Sequence, residues 1–320
     1  MRSKRSDDDA VIIAFANNKG GSSKTATTVN VASEMHLRNK NLRILIVDTD
    51  AQGNASRSFG LNPAKLSPNM YDIFMDNGEV DLESCIQKDV RNTNIDIIPS
   101  NTLLNFLEFD TIKMFGDSLD ILIKGIGSRI EKQGKSFTSM SPEEISEFIP
   151  KEANPAYNYF NRLDGKFDEI RKKYDYILFD TPPELKSVTS SVLAISDIVF
   201  IPYEPDVYSM DGIVNIVERI NAIKEEYNPN LEIGGFIATK FKRNTNLHKD
   251  VHLTVSGYAN KHNLSWFSTT IPYSIKVGSS TAYNKLPIVL MGKQNPVADA
   301  YHELVTEMID KGLIDIKDGE

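Results

Sequence analysis

The chain predicts an α/β fold: a doubly wound, mostly parallel sheet flanked by helices, in a single domain with an internal insertion. Three observations lead there. Short apolar runs alternate with helical patterns along the 320 residues, as in sheets whose strands are joined by helical crossovers. The first run, Val11-Ile12-Ile13-Ala14-Phe15-Ala16, leads directly into the glycine-rich turn Lys19-Gly20-Gly21-Ser22-Ser23-Lys24-Thr25. Two later runs end in aspartates. Arg43 to Val47 enters Asp48-Thr49-Asp50-Ala51-Gln52-Gly53-Asn54, and Tyr176 to Phe179 enters Asp180-Thr181-Pro182-Pro183. Carboxylates at the carboxyl ends of neighbouring parallel strands converge on the crevice where such sheets bind ligands.

Taken in order, strands are expected over residues 11–17, 43–48, 95–98, 176–180, 197–203, 232–239 and 265–271. A helix over 24–39 follows the glycine-rich turn. Another over 209–226 places Met210, Ile213, Val214, Val217 and Ile220 on one face. The last helix opens on Asn295-Pro296, a cap and first-turn pair, buries Val297, Tyr301, Leu304, Val305 and Met308, and stops at Gly312. Residues 1–10 read as a flexible tail, 11–312 as the domain and 313–320 as an acidic tail.

A strand ending in a glycine-rich turn that opens a helix aims backbone N–H groups at one point, which suits a polyphosphate. In the turn, Gly20, Gly21, Ser22, Ser23 and Ala26 supply the cradle. Lys24 is the point charge for β- and γ-phosphates, and the Thr25 hydroxyl is a magnesium ligand. Lys19 lies too early in the turn to duplicate Lys24, so its ammonium is free to reach another set of phosphates. Asn18 and Ser23 occupy the two glycine positions of the standard G-x-x-x-x-G-K-[ST] pattern. The bland alternatives are a strand-to-helix turn with no ligand and, for each aspartate alone, a turn or helix cap.

These segments, with Asn244-Thr245-Asn246 after Phe236 to Lys240, then Ile271-Pro272 and the closing helix, resemble a ParA-type partition ATPase. That family belongs to the deviant Walker P-loop NTPases, which also include MinD. Asp-x-Asp-x-Gln-Gly-Asn separates the ParA type from MinD-like cousins. Three positions depart from the pattern: Ser23 replaces a usual glycine, Ala26 a threonine and Ala51 a proline. A Cβ at position 23 restricts dihedrals that glycine would allow.

The resemblance implies an ATPase that uses ATP and Mg2+ in a cytoplasmic, nucleoid-associated homodimer. Two ATP-loaded subunits pack face to face, with Lys19 of each reaching the other's phosphates. Asp50 is the candidate for orienting the attacking water, with Lys19 and Lys24 completing the catalytic set, while Asp48 and Asp180 hold magnesium through its water shell. Thr239, Lys240 and Pro272 fall where the family's adenine contacts lie. The ATP dimer binds duplex DNA non-specifically, and a ParB-like centromere-bound partner stimulates hydrolysis and releases it, moving a plasmid or chromosome origin.

Charge and composition narrow the alternatives. The net charge of −8 argues against a generally basic nucleic-acid binder. Residues 238–293 differ, with eight basic side chains against Asp250 alone: a local +7 that leaves −15 elsewhere. Lys240, Lys242, Arg243, Lys249 and Lys276 are therefore the candidate DNA contacts. His248, His252 and His262 lack metal-ligand spacing. Cys85 is the only cysteine, which excludes an intrachain disulfide and a cysteine-ligated iron–sulfur cluster. No apolar run approaches the roughly 20 residues that span a bilayer. A MinD-like positioning switch would want a basic amphipathic carboxyl terminus, yet Asp299, Glu303, Glu307, Asp310, Asp315, Asp318 and Glu320 populate this one. A bacterial tyrosine kinase on a related fold would want a terminal tyrosine cluster, also missing. A non-hydrolysing scaffold remains, kept open by Ser23 and Ala26. Residues 116–163 have no counterpart in the resemblance and read as a surface insertion or a partner-binding arm.

Overall fold

Seven strands form one sheet in a computed structural model that describes residues 9–76, 79–114, 160–275, 284–292 and 295–316. They are β1 (Val11–Phe15), β2 (Ile44–Asp48), β3 (Ile95–Ile98), β4 (Tyr176–Asp180), β5 (Ile198–Tyr203), β6 (Glu232–Phe241) and β7 (Trp266–Pro272). Their order across the sheet is β3-β2-β4-β1-β5-β6-β7, and every pairing is parallel. Among the described residues, the α-helices with both ends defined are α1 (Lys24–Arg38), α2 (Asn54–Ser58), α3 (Met70–Met75), α4 (Asp168–Arg171), α5 (Ser187–Ile195), α6 (Ser209–Glu226), α7 (Asn246–Lys261) and α8 (Pro296–Asp310). Most of the 116–163 insertion lies outside the described residues. Of its end, Leu163 is buried and the Arg162 guanidinium donates to the carbonyl of Phe74.

Strand alternation divides the core into two layers. Ile12, Ala14, Leu45, Val47, Ile177 and Phe179 face one side with α5 and α6. Ile13, Phe15, Ile44, Ile46, Tyr176 and Leu178 face the other with α1 and α8. The period of two carries on past the apolar runs, so Asp48 and Asp180 point to the α1 side. They also stand side by side, because β2 and β4 pair with Asp48 opposite Asp180.

Expected and observed strands agree to within two residues at each end. On α6 the buried stripe is rotated from the expected one: Ile216 and Ile223 are buried, whereas Met210 and Val214 are half-buried. In α8, Asn295 accepts from the Val297 N–H, and the C-terminus closes with Gly312 N–H to Ile309 O and Leu313 N–H to Met308 O, with Gly312 at φ 68°. The tails are shorter than expected. Ala10 is in the core, and Leu313, Ile314 and Ile316 pack under the sheet. There the Tyr176 hydroxyl donates to the Asp315 carbonyl and accepts its N–H. Acidic composition hid this, because Leu313, Ile314 and Ile316 bury while the intervening Asp315 contributes only its backbone.

Candidate functional site

The loop after β1 doubles back before α1 begins, and two residues take the left-handed conformation to allow it: Gly21 at φ 76° and Ser23 at φ 66°. The Ser23 carbonyl then accepts the Thr27 N–H and starts the helix. Lys24, in the first turn, is buried, with its ammonium 3.3 Å from the Lys19 carbonyl. Burial lowers its pKa, opposed by the charges of Asp180 and Asp50. An arriving polyanion would strengthen that opposition and favour the charged lysine.

Beside Lys24 lie the two strand-end carboxylates, both fully enclosed. Burial pushes Asp48 up to about 6, against the pull of two hydrogen bonds from Ser56, while Asp50 acts both ways, its charge pushing up and its backbone N–H pulling down more weakly. Asp180 is raised well above its usual range by burial and then by Asp48, while Thr25 and Lys24 pull it down. The Thr25 hydroxyl is near enough to pull on Asp180 but not in hydrogen-bonding geometry, so both oxygens of Asp180 lack a well-formed bond, as does Oδ1 of Asp48. Orphaned buried carboxylate oxygens are costly, and a hydrated divalent cation would satisfy them. Among the described residues no cluster of three or more acidic, histidine or cysteine side chains forms a protein-only metal cage. The donor set therefore fits Mg2+, which keeps waters and shares phosphate oxygens, with Thr25, Asp48 and Asp180 as the nearest protein groups.

Lys24 and Thr25 open into a cleft of about 490 Å³ lined by the loop from Gly20 to Ala26, by Asp50, Gln52 and Asn54, and by Pro272 and Tyr273, while Asp48 and Asp180 lie buried beside it. Tyr301, from α8, and Pro183 also reach it. Asp50 is half-exposed, and its carboxylate accepts the Gln52 N–H in a tight turn. That turn depends on Gly53, at φ 65°, where a Cβ would lie 2.6 Å from the Pro63 ring.

The structure brings together Lys24, Thr25, Asp48, Asp50 and Asp180, and it places other expected residues differently. Lys19 turns away from Lys24, and its ammonium pairs with Asp206 just beyond β5. Thr239 does not line the cleft. It is fully buried beneath the loop, its hydroxyl shared between the carbonyls of Ser22 and Tyr203, so it braces the loop from below. Lys240, at φ 49°, points into the cleft rather than outward and pairs with Glu204 at 2.9 Å. Lys242 and Arg243 are exposed in the turn between β6 and α7, Lys249 is exposed on α7, and Lys276 lies outside the described residues. The Lys242 ammonium sits 5.1 Å from the centre of the Tyr273 ring, so the basic turn abuts the cleft mouth.

Sequence reasoning missed Glu204, Asp206 and Ser56. The first two follow a strand end, the same signal that singled out Asp48 and Asp180, but their lysine partners are remote in sequence. Ser56 lies just past the motif already read.

Comparisons with known proteins bear on the family and the fold. A family model described as an AAA domain matches residues 10–132 and 140–233. A ParA family protein of Mycoplasma pneumoniae is 30% identical over 309 residues, covering 94% of this chain and 97% of the relative. The sporulation initiation inhibitor protein Soj of Bacillus subtilis is 28% identical over 94% of this chain and 99% of its own. Among solved structures, a putative plasmid partition protein of Borrelia burgdorferi bound to AMPPNP superposes with a TM-score of 0.63 at 23% identity, covering 95% of this chain and 99% of that one. Cobyrinic acid a,c-diamide synthase of Mycobacterium smegmatis, with an ATP analogue and magnesium, gives 0.66 at 19% identity over 97% and 99%. These last two establish the fold. With a phosphate loop, strand-end carboxylates and a relative matched nearly end to end, the chain belongs to the ParA family of P-loop ATPases.

Proposed function

We propose that the protein is a DNA segregation ATPase that dimerises on ATP, binds duplex DNA without reading its sequence, and is reset when a ParB-like partner stimulates hydrolysis. The observation that carries this reading is the division of labour between the two loop lysines. Lys24 is buried beside Asp180, whereas Lys19 is turned outward and about 38% exposed, so it can serve a second subunit.

In this mechanism Lys24 and the loop N–H groups hold the β- and γ-phosphates, and Asp50, half-exposed among the residues lining the cleft, orients the attacking water. Bound magnesium neutralises charge on the transferring phosphoryl group. Asp48, Asp180 and Thr25 would hold it. Lys19 leaves Asp206 and meets the phosphates of the partner subunit, which ties dimerisation to ATP. Lys242, Arg243 and Lys249, pooled from two subunits, supply the phosphate contacts to DNA, and doubling those contacts steepens affinity and salt dependence together. Lys240, drawn into the cleft by Glu204, serves nucleotide rather than DNA.

The test is fluorescence anisotropy of a random-sequence duplex titrated in magnesium with ATP, ADP or no nucleotide. Tight binding with ATP alone supports the cycle; equal or absent binding in all three removes the DNA reading. The strained loop position at Ser23 favours a second reading, a nucleotide-dependent scaffold that does not hydrolyse, and turnover measured with and without a candidate partner separates the two.

A further inference from the structure

We infer that Ser56 is a positioning residue for magnesium, acting by fixing which oxygen of Asp48 faces the cation. The inference rests on the magnesium–nucleotide reading of the cleft. Ser56 is fully buried on α2, and both of its donors converge on one atom: its N–H lies 2.8 Å and its hydroxyl 2.7 Å from Oδ2 of Asp48. The other oxygen, Oδ1, is buried without a partner, and both oxygens of the neighbouring Asp180 share that condition. An enclosed carboxylate that accepts two bonds on one oxygen and none on the other has a defined orientation. Its free oxygen is left for something the protein does not itself supply.

The backbone explains how a residue eight positions later reaches Asp48. The Gly53 N–H bonds the Asp50 carbonyl at 2.8 Å, and the left-handed Gly53 turns the chain so that α2 folds back against the end of β2. The Ser100 hydroxyl holds the same Asp50 carbonyl at 2.5 Å. Ser56 is thus delivered by a braced turn. Without the hydroxyl, Oδ2 of Asp48 keeps only the Ser56 N–H bond, so the carboxylate is held less firmly in the orientation a hydrated cation needs. Groups that orient metal-binding carboxylates in this way typically change metal affinity about 10- to 100-fold when removed.

The experiment measures binding of a fluorescent ATP analogue to the full chain, first in EDTA and then across a magnesium titration, for wild type, Ser56→Ala, Ser56→Thr and Asp48→Asn. In Ser56→Ala the magnesium concentration for half-maximal enhancement should rise about 10- to 100-fold, with affinity in EDTA unchanged. Ser56→Thr, which keeps the hydroxyl, should restore the wild-type midpoint. On the Asp48→Asn background, adding Ser56→Ala should cause no further loss, because Ser56 acts through Asp48. Equal weakening with and without magnesium would mean a merely structural role and overturn the inference. So would an unmoved magnesium midpoint, or full additivity with Asp48→Asn. If wild type binds the analogue but ignores magnesium, the magnesium reading of the cleft falls first and this inference with it.

Discussion

Ser23 is one of the three positions at which the sequence departs from the pattern it resembles. The expectation that a Cβ would be out of place there is met in the backbone, since Ser23 sits at φ 66°, where side chains other than glycine are disfavoured. Left-handed geometry costs a non-glycine residue about 1–2 kcal/mol, and part of that returns as extra freedom when glycine unfolds. We predict that Ser23→Gly stabilises the protein by about 0.5–1 kcal/mol in urea denaturation. A destabilised variant would show that the Ser23 side chain makes a compensating interaction. The glycine at position 53 is the opposite case, because both its φ and the Pro63 ring forbid a side chain.

At the scale of elements, the short connection from β5 to α6 has a role that its length does not advertise. Glu204 holds Lys240 and Asp206 holds Lys19, so one segment pins the cations on both sides of the phosphate loop. The Lys19–Asp206 pair is about a third exposed on each side, and such pairs contribute about 0–1 kcal/mol. Releasing Lys19 therefore costs little. Asp206→Asn should shift the ATP-dependent dimer to lower protein concentration by up to about fivefold, as read by sedimentation velocity. No shift, or weaker dimerisation, would argue that Lys19 is not held back by Asp206. A second element-level contact protects the sheet. Glu307 of α8 accepts the N–H groups of Ser268 and Thr269 on the edge strand β7. Burial raises its pKa, but these hydrogen bonds outweigh burial, and the net shift is downward. The folded carboxylate holds its proton less tightly than an unfolded glutamate, so its stabilisation is present above the ordinary glutamate range and lost as pH falls through and below it. The stability gap between wild type and Glu307→Gln should narrow with acidification; a constant gap in urea melts across that range would contradict this.

For the whole molecule, the proposed function makes charge distribution the feature that would decide where DNA binds. The described cations of the expected patch do not share one role, since Lys240 turns inward while Lys242, Arg243 and Lys249 stay at the surface. Replacing Lys242 and Arg243 together by alanine should weaken ATP-dependent DNA binding and reduce the salt slope by about 1–2 per subunit, leaving nucleotide affinity intact. A preserved slope would move the DNA face elsewhere. The same contrast explains what was legible in the sequence. Strands and the phosphate loop were, because apolar period and glycine placement are local. The inward turn of Lys240, the bracing position of Thr239 and the Lys19–Asp206 pair were not, because each is set by a residue far away in the chain. The packed residues 313–316 escaped because charge masked an apolar alternation.

Tyr301 gives the cleft a dependence on the order of synthesis. It is buried, it lines the cleft, and it belongs to the last helix, which packs on α1. The phosphate loop and this wall are far apart in sequence, so in a growing chain the loop emerges first and the cleft is closed on that side only when α8 docks on α1.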